Sequence, residues 1–411
     1  MNTTVILGTG IIGVSTAYYL SQAQPPSSIH LVEPSPVLFA SASGFAAGFL
    51  AKDWFSPSVA AVGALSFEEH SRLAEEFDGR EKWGYMKSSG VSYTAGRRDG
   101  ETKARGDDWL RGGGSRADGL EVSNVSSEGY VPRWLRRSEG DVVESISEEG
   151  STAQINPLRL CQFLSKTCVD RGVQLHHPAK AISVHSDNRN ELSSIRILNT
   201  DTQTETDVPC TKILIAAGAW SSRVFETLFP NSDMKLPISS LAGHSLVVRS
   251  PRWSKEHEGK GCHAVFTAGE DGYSPEIFSR IGGEIYVAGL NDASLALPSL
   301  PTESKIEEKS IKILKETAKQ LLGEKEDLDD LEVLKTGLCF RPVTHKGTPI
   351  LVKLPEKSLG SIETRGGDEG GVWLAAGHGP WGISLSLGSG KVMAEMIQGR
   401  PPSVNVTELG L

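Results

Sequence analysis

Residues 4–20 read TVILGTGIIGVSTAYYL: a short β-branched and apolar run, then Gly8, Gly10 and Gly13, then a helical pattern. A buried strand that turns tightly into a helix leaves the first amides of that helix, and its positive end, facing whatever sits before it. Gly8 permits the turn, Gly10 lets a phosphate approach the backbone, and Gly13 lets helix and strand lie close. A second apolar run, SIHLVEP, ends at Glu33, twenty residues after Gly13. A carboxylate there accepts hydrogen bonds from both hydroxyls of an adenosine ribose and repels a 2′-phosphate, so a phosphorylated nicotinamide dinucleotide is disfavoured. Three glycines alone could make only a turn. With strand, helix and acid all in place they predict a bound dinucleotide, and leave NAD and FAD open.

Composition narrows the partners. At 411 residues the chain is long for one core, so two substructures are expected. A net charge of −9, with no concentrated basic surface, argues against nucleic acid or an anionic membrane as partner. Five scattered cysteines without CxxC spacing fit a reducing compartment, and no metal cluster is apparent. The chain lacks both a secretory leader pattern and an apolar run of about 18 residues. A cytoplasmic protein acting on a small molecule is the expectation.

The segment FASASGFAAGFLAKDW, residues 39–54, is rich in small side chains and permits close approach to something flat, though it would also serve as a plain loop. Residues 96–118 are polar and glycine-rich without apolar periodicity, and read as a mobile surface loop. Pro157 opens a helix that places Cys161 and Cys168 in the core, and TKILIAAGAWSSRVF is a buried strand breaking at Gly218 before another helix. Several β-type runs between residues 237 and 300 suggest an antiparallel sheet inserted into the dinucleotide domain, followed by a charged helix over about 302–322. The carboxyl end has a buried strand, a glycine-rich turn over Gly377–Gly382 and a terminal helix.

In order, VILGTGIIG, Glu33, SASGFAAGFL, INPLRL, ILIAAGAWS, CFRPVTHKGTPIL and LAAGHGPWGISLSLGSGKVMAEMI resemble the D-amino-acid-oxidase superfamily of FAD-dependent oxidoreductases. The likeness runs from residue 4 to about 400 and selects FAD over NAD. It implies an α/β fold, α+β overall: a Rossmann-type FAD-binding domain with an inserted antiparallel-sheet substrate domain. The expected FAD-binding parts are residues 1–82, 151–228 and 335–402, and the substrate parts 83–150 and 229–334.

By the same resemblance, Gly8, Gly10, Ile11, Ile12 and Gly13 would hold the pyrophosphate, and Glu33 and Pro34 the adenosine. Ser41, Ser43, Ala47, Gly48 and Leu50 would run along the diphosphate and ring system, and Ala181 would meet adenine. Ala216, Ala217, Gly218 and Trp220 match the second dinucleotide-contacting turn. His378, Gly379, Pro380, Trp381, Gly382, Ile383 and Ser384 would lie against the isoalloxazine. The implied reaction oxidises an amine or amino acid to an imine that water hydrolyses, with dioxygen taking the electrons to give hydrogen peroxide.

Arg341, His378 and Lys52 are the residues expected to face the reaction. Arg341, in FRPVT, matches the arginine that pairs with a substrate carboxylate in the glycine oxidase branch, and a guanidinium fork suits that geometry; a structural arginine at the domain boundary is the alternative. Cys339 falls where the sarcosine oxidase and amadoriase branches bond covalently to the flavin, but those branches lack the Arg-Pro pair, and a buried cysteine also acts as a small hydrophobe. GGEIYVAGLND lacks the lysine that assists oxygen reactivity in sarcosine oxidase, which leaves a dehydrogenase, or a flavoprotein kept for binding, as alternatives. Lys52, and Tyr273, His263 and His244 from the inserted sheet, could reach the pocket, though each reads more readily as surface or core than as catalytic.

Overall fold

A computed structural model of the protein describes residues 3–95, 131–267, 273–325 and 329–411. The expected mobile loop over 96–118 lies outside the described residues. Thr4–Leu7 is buried throughout and pairs in parallel with Ile29–Val32 on one side and Lys212–Ile215 on the other. Such near-continuous apolar runs are what a strand covered on both faces requires. The sheet continues through Gln174–His176 at one edge and through Gly371–Ala376 and the antiparallel Ile350–Lys353 at the other. The chain leaves Thr4–Leu7 toward one side first and returns on the other, so a crevice opens at the carboxyl ends where strand order reverses. Gly8 stands at that point with φ +102°, and a Cβ there would lie 2.6 Å from the Ala216 carbonyl oxygen. The helix Ile11–Leu20 that follows is buried on every face.

A larger sheet lies beyond the crevice. Its order runs Asn291–Asp292, Ile238–Arg249, Glu284–Ala288, Glu276–Arg280, Cys262–Thr267, Met86–Thr94, Thr152–Gln154, Phe49–Ala51. Glu332–Thr344 pairs along the free side of Ile238–Arg249. The sheet is antiparallel, as expected, except where Cys262–Thr267 runs parallel to Met86–Thr94. It also takes in Phe49–Ala51, Thr152–Gln154 and all of Glu332–Thr344, so the expected division at residue 335 falls inside one strand.

Alternation across the pleat sorts the side chains of this sheet. Ile277, Ile285 and Val287 pack with Leu314, Ala318 and Leu322 of the helix Glu308–Leu322. Phe278, Tyr286 and Ala288 take the opposite face and join the core shared with the dinucleotide layer. Glu276 and Arg280 have the same parity as Phe278. The strand therefore delivers two ionisable groups to the inner side.

Candidate active site

One continuous cavity of about 450 Å³ runs between the layers, from Glu33 to Arg341. At the first end it is walled by the carboxyl termini of four parallel strands, through Leu7, Val32, Ala216 and Ala376. The Glu33 carboxylate accepts hydrogen bonds from the Thr9 and Ser35 amides at 2.9 and 3.0 Å. Burial raises its pKa, and those two bonds work against that. Ser43 Oγ accepts from the Ile11 amide at 2.9 Å, and Ser41 Oγ from the Phe340 amide at 3.3 Å. Each hydroxyl keeps its own proton to donate. Lys180, Ala181 and Ile182 close this end.

The middle is lined by Ala46 and Ala47 on one side and by His378, Gly379, Pro380, Gly382 and Ile383 on the other. Arg280, buried beneath, fixes the alanine side: its Nε donates to the Ala47 carbonyl at 2.9 Å and one terminal nitrogen to the Ala46 carbonyl at 2.6 Å. His378 is 3% exposed, with Nε2 3.0 Å from Ser389 Oγ. Burial pushes its pKa down to about 3, so the ring is neutral. Its Nδ1 has no partner among the described residues. Behind this wall His70 Nε2 lies 3.0 Å from the Ile383 carbonyl.

The far end gathers Arg341, Glu276, Tyr286, Ala288 and Cys339. Cys339 and Arg341 lie two apart on one strand and so share a face. Gly243 of the neighbouring strand makes room for the arginine, since a Cβ there would sit 2.5 Å from Arg341 Nη1. That nitrogen donates to Asn291 Oδ1. Burial pushes the Glu276 carboxyl up to about 7, with the Arg341 charge opposing. Tyr286 donates its hydroxyl proton to the Phe45 carbonyl at 2.9 Å. The Cys339 thiol is buried and raised by desolvation, with Arg341 opposing.

Residues 3–396 match the family DAO, FAD dependent oxidoreductase. The chain belongs to this family. Among its relatives, the Schizosaccharomyces pombe protein C1F5.03c is 27% identical, with 98% of this chain and 96% of that protein covered. Among solved structures, glycine oxidase from Geobacillus kaustophilus superposes with a TM-score of 0.70 at 19% identity, covering 99% of this chain and 97% of that one. L-proline dehydrogenase from P. horikoshii superposes with a TM-score of 0.71 at 14% identity, covering 100% and 96%. These likenesses carry the fold. The residues of this DAO-family chain also fit FAD: the wall at Gly8 has no room for a side chain, the Ser43 hydroxyl beside the helix start and the Ser41 hydroxyl beside Phe340 each keep a proton to donate, and the buried His378 Nδ1 has no partner among the described residues.

Most of the sequence-expected residues of this DAO-family oxidoreductase line the one cavity, and six do not. Lys52 is exposed and absent from the cavity wall, because the buried strand Phe49–Ala51 ends just before it. Leu50 is buried in that strand, and Ser384 Oγ accepts from the Ala51 amide at 2.9 Å instead of facing the cavity. Trp381 packs edge-on against Phe55 and Trp54. Gly13 and Gly48 serve close backbone packing, against Gly8 and Ile155. Of the other candidates, Tyr273 donates to Thr317 Oγ1, His263 pairs with Ser89, and His244 Nε2 accepts from the Glu307 amide. None of these three lines the cavity.

Sequence reading missed Glu276, Tyr286, Arg280 and Asn291. The available signal was the pair of charges, Glu276 and Arg280, that bracket the short β-type run EIFSR. It also missed the segment Ser299–Pro301 over the cavity, which is tied down by bonds from Trp220 Nε1 and Arg223 to the Pro298 carbonyl at 2.9 and 2.6 Å.

Proposed function

We propose that the protein oxidises the carbon–nitrogen bond of a small carboxylated amine or amino acid, with dioxygen as electron acceptor. The observation that carries this reading is the placement of Arg341 on the same continuous cavity as the Gly8 turn and Glu33. FAD, when bound, supplies hydride acceptance and the passage of electrons to oxygen.

The protein's part is binding and orientation. Ala216, Ala217, Gly218, Gly10, Ile11 and Ile12 would bear on the diphosphate, Glu33 and Pro34 on the adenosine ribose, and Ala181 on adenine. Ala46, Ala47, His378, Gly379, Pro380, Gly382 and Ile383 would flank the ring system. Backbone amides along residues 378–383 would favour negative charge on a ring system held there, without reorganisation. The Arg341 fork, steadied by Asn291, would hold the substrate carboxylate. Neutral His378 adds no charge to the site. Cys339 reads as a small buried wall residue, with FAD held without a covalent bond, since burial disfavours the thiolate that attachment needs.

One observation favours a second reading. Lys180 is the lysine on the cavity wall, at the adenosine end, and no described lysine lines the end near Arg341. A dehydrogenase using another acceptor would share every other feature. The test is a panel of amines and amino acids added anaerobically to the yellow enzyme, then in air with peroxide counted. Bleaching with stoichiometric peroxide supports the oxidase, bleaching without peroxide supports the dehydrogenase, and no bleaching rejects both.

A further inference from the structure

Arg341 and Glu276 both face the substrate end of the cavity and feel each other's charge, without a direct ion pair between them among the described residues. Arg341 spends Nη1 on Asn291, and the Glu276 carboxylate accepts no hydrogen bond from any described residue. They come from different strands, Glu276–Arg280 and Glu332–Thr344, with Ile238–Arg249 and Glu284–Ala288 between them in the sheet. Glu276 stands opposite Ala288, whose small side chain also lines the cavity and leaves the carboxylate uncovered. Withdrawing a carboxylate from water without a partner is costly, and the cost is recovered when a cation arrives. A ligand carrying only a carboxylate would satisfy Arg341 and meet repulsion from Glu276. A dipolar ligand satisfies both.

We propose that Glu276 holds the cationic nitrogen of the substrate while Arg341 holds its carboxylate, so that the site selects amino acids or N-alkyl amino acids over monoamines and over plain carboxylic acids. Glu276 also takes the proton that the amine must lose. One N–H bond breaks, its electron pair stays on nitrogen, and the proton forms an O–H bond on a Glu276 oxygen, with no change of oxidation state. The amine is then neutral, as loss of hydride from the adjacent carbon requires. This rests on the reading of the cavity as an amine-oxidising centre.

The experiment uses FAD-loaded protein and two matched sets: N-methylglycine, methoxyacetate and dimethylamine; and proline, tetrahydrofuran-2-carboxylate and pyrrolidine. Binding is followed by perturbation of the flavin absorption band, in the native protein and in Glu276→Gln. In the native protein the dipolar member of a set binds more tightly than its oxygen isostere. In Glu276→Gln that preference falls by about tenfold or more, the isostere gaining affinity as the repelling charge is removed. An unchanged preference overturns the proposal, and so does the absence of carboxylate binding in both proteins. A changed preference without bleaching by any amine leaves the proposal standing and rejects the oxidation chemistry.

Should Glu276→Gln lose FAD, the native protein carries the same test through pH. The ionisable groups around the carboxyl are Arg341, Tyr286 pushed up to about 12, Cys339 raised, and on the flanking strand His263 pushed down to about 4. His378 lies at about 3, so among these neighbouring groups Glu276 is the one pushed to about 7. The preference for the dipolar ligand must therefore rise as pH increases through about 7, and a flat preference overturns the assignment.

Discussion

Arg280 reaches from the strand Glu276–Arg280 to the Ala47 carbonyl, 2.9 Å away, and so ties the large sheet to the small-residue wall of the cavity. Its guanidinium is buried, and burial lowers its pKa while Tyr286 and Glu284 oppose. Replacement by methionine keeps the apolar stem and leaves the Ala46 carbonyl without this donor. Arg280→Met is expected to lower stability on the order of 3 kcal/mol and FAD affinity by more than about tenfold. Thermal unfolding and flavin titration measure the two separately. Unchanged FAD affinity in a folded variant would mean that the alanine wall holds its position without the arginine.

Arg341 is expected to act on binding of carboxylates specifically. Arg341→Ala should raise KM for a carboxylated substrate by about a hundredfold, the scale of a charge-assisted bidentate contact, and alter KM for the matching uncharged amine far less. Arg341→Lys should recover only part of the loss, since an ammonium cannot make the two-pronged contact. Steady-state kinetics with a matched substrate pair decides it, and parallel losses on both substrates would remove Arg341 from the carboxylate site.

The parts of this site that were legible in sequence are those set by local chain geometry. The turn at Gly8 and the acid at Glu33 are fixed by a strand, a turn and a helix contiguous in the chain, and Leu7, Gly8 and Glu33 stand together on the wall. Arg341 was legible through the resemblance of its surrounding motif. Glu276 was not, because its meeting with Arg341 depends on the order and register of four strands drawn from separate segments, and no local pattern encodes that pairing. Lys52 was misplaced for a related reason. Small residues before it marked a ligand wall, but the chain leaves the buried strand at Ala51 and surfaces at once.

Glu69 links three helices, accepting from Tyr19 at 2.8 Å, from Arg72 at 2.7 Å and from Lys391 at 2.9 Å. Burial raises its pKa, but these bonds outweigh burial and hold it down to about 2. A carboxyl depressed in the folded state stabilises the protein above its unfolded pKa of about 4.5 and loses that contribution as pH falls toward about 2. The lost contribution is on the order of 3 kcal/mol. Urea unfolding between about pH 5 and pH 2.5 should show a steeper decline in the native protein than in Glu69→Gln, which starts weaker and lacks this limb. Equal slopes would place the acid sensitivity elsewhere.

Cys339 lies on the cavity wall beside Tyr286 and Arg341, where a covalent link to FAD would need its thiolate. Burial holds the thiol above its ordinary pKa, and the Arg341 charge offsets this only in part. Arg341 also feels the charge of Glu276. The attacking species is thus disfavoured by the same dry wall that shapes the pocket. Acid precipitation of the yellow protein should leave all the flavin absorbance in the supernatant, and Cys339→Ser should bind FAD with an unchanged spectrum. Colour that stays with the native pellet and is released from Cys339→Ser would establish a covalent bond instead.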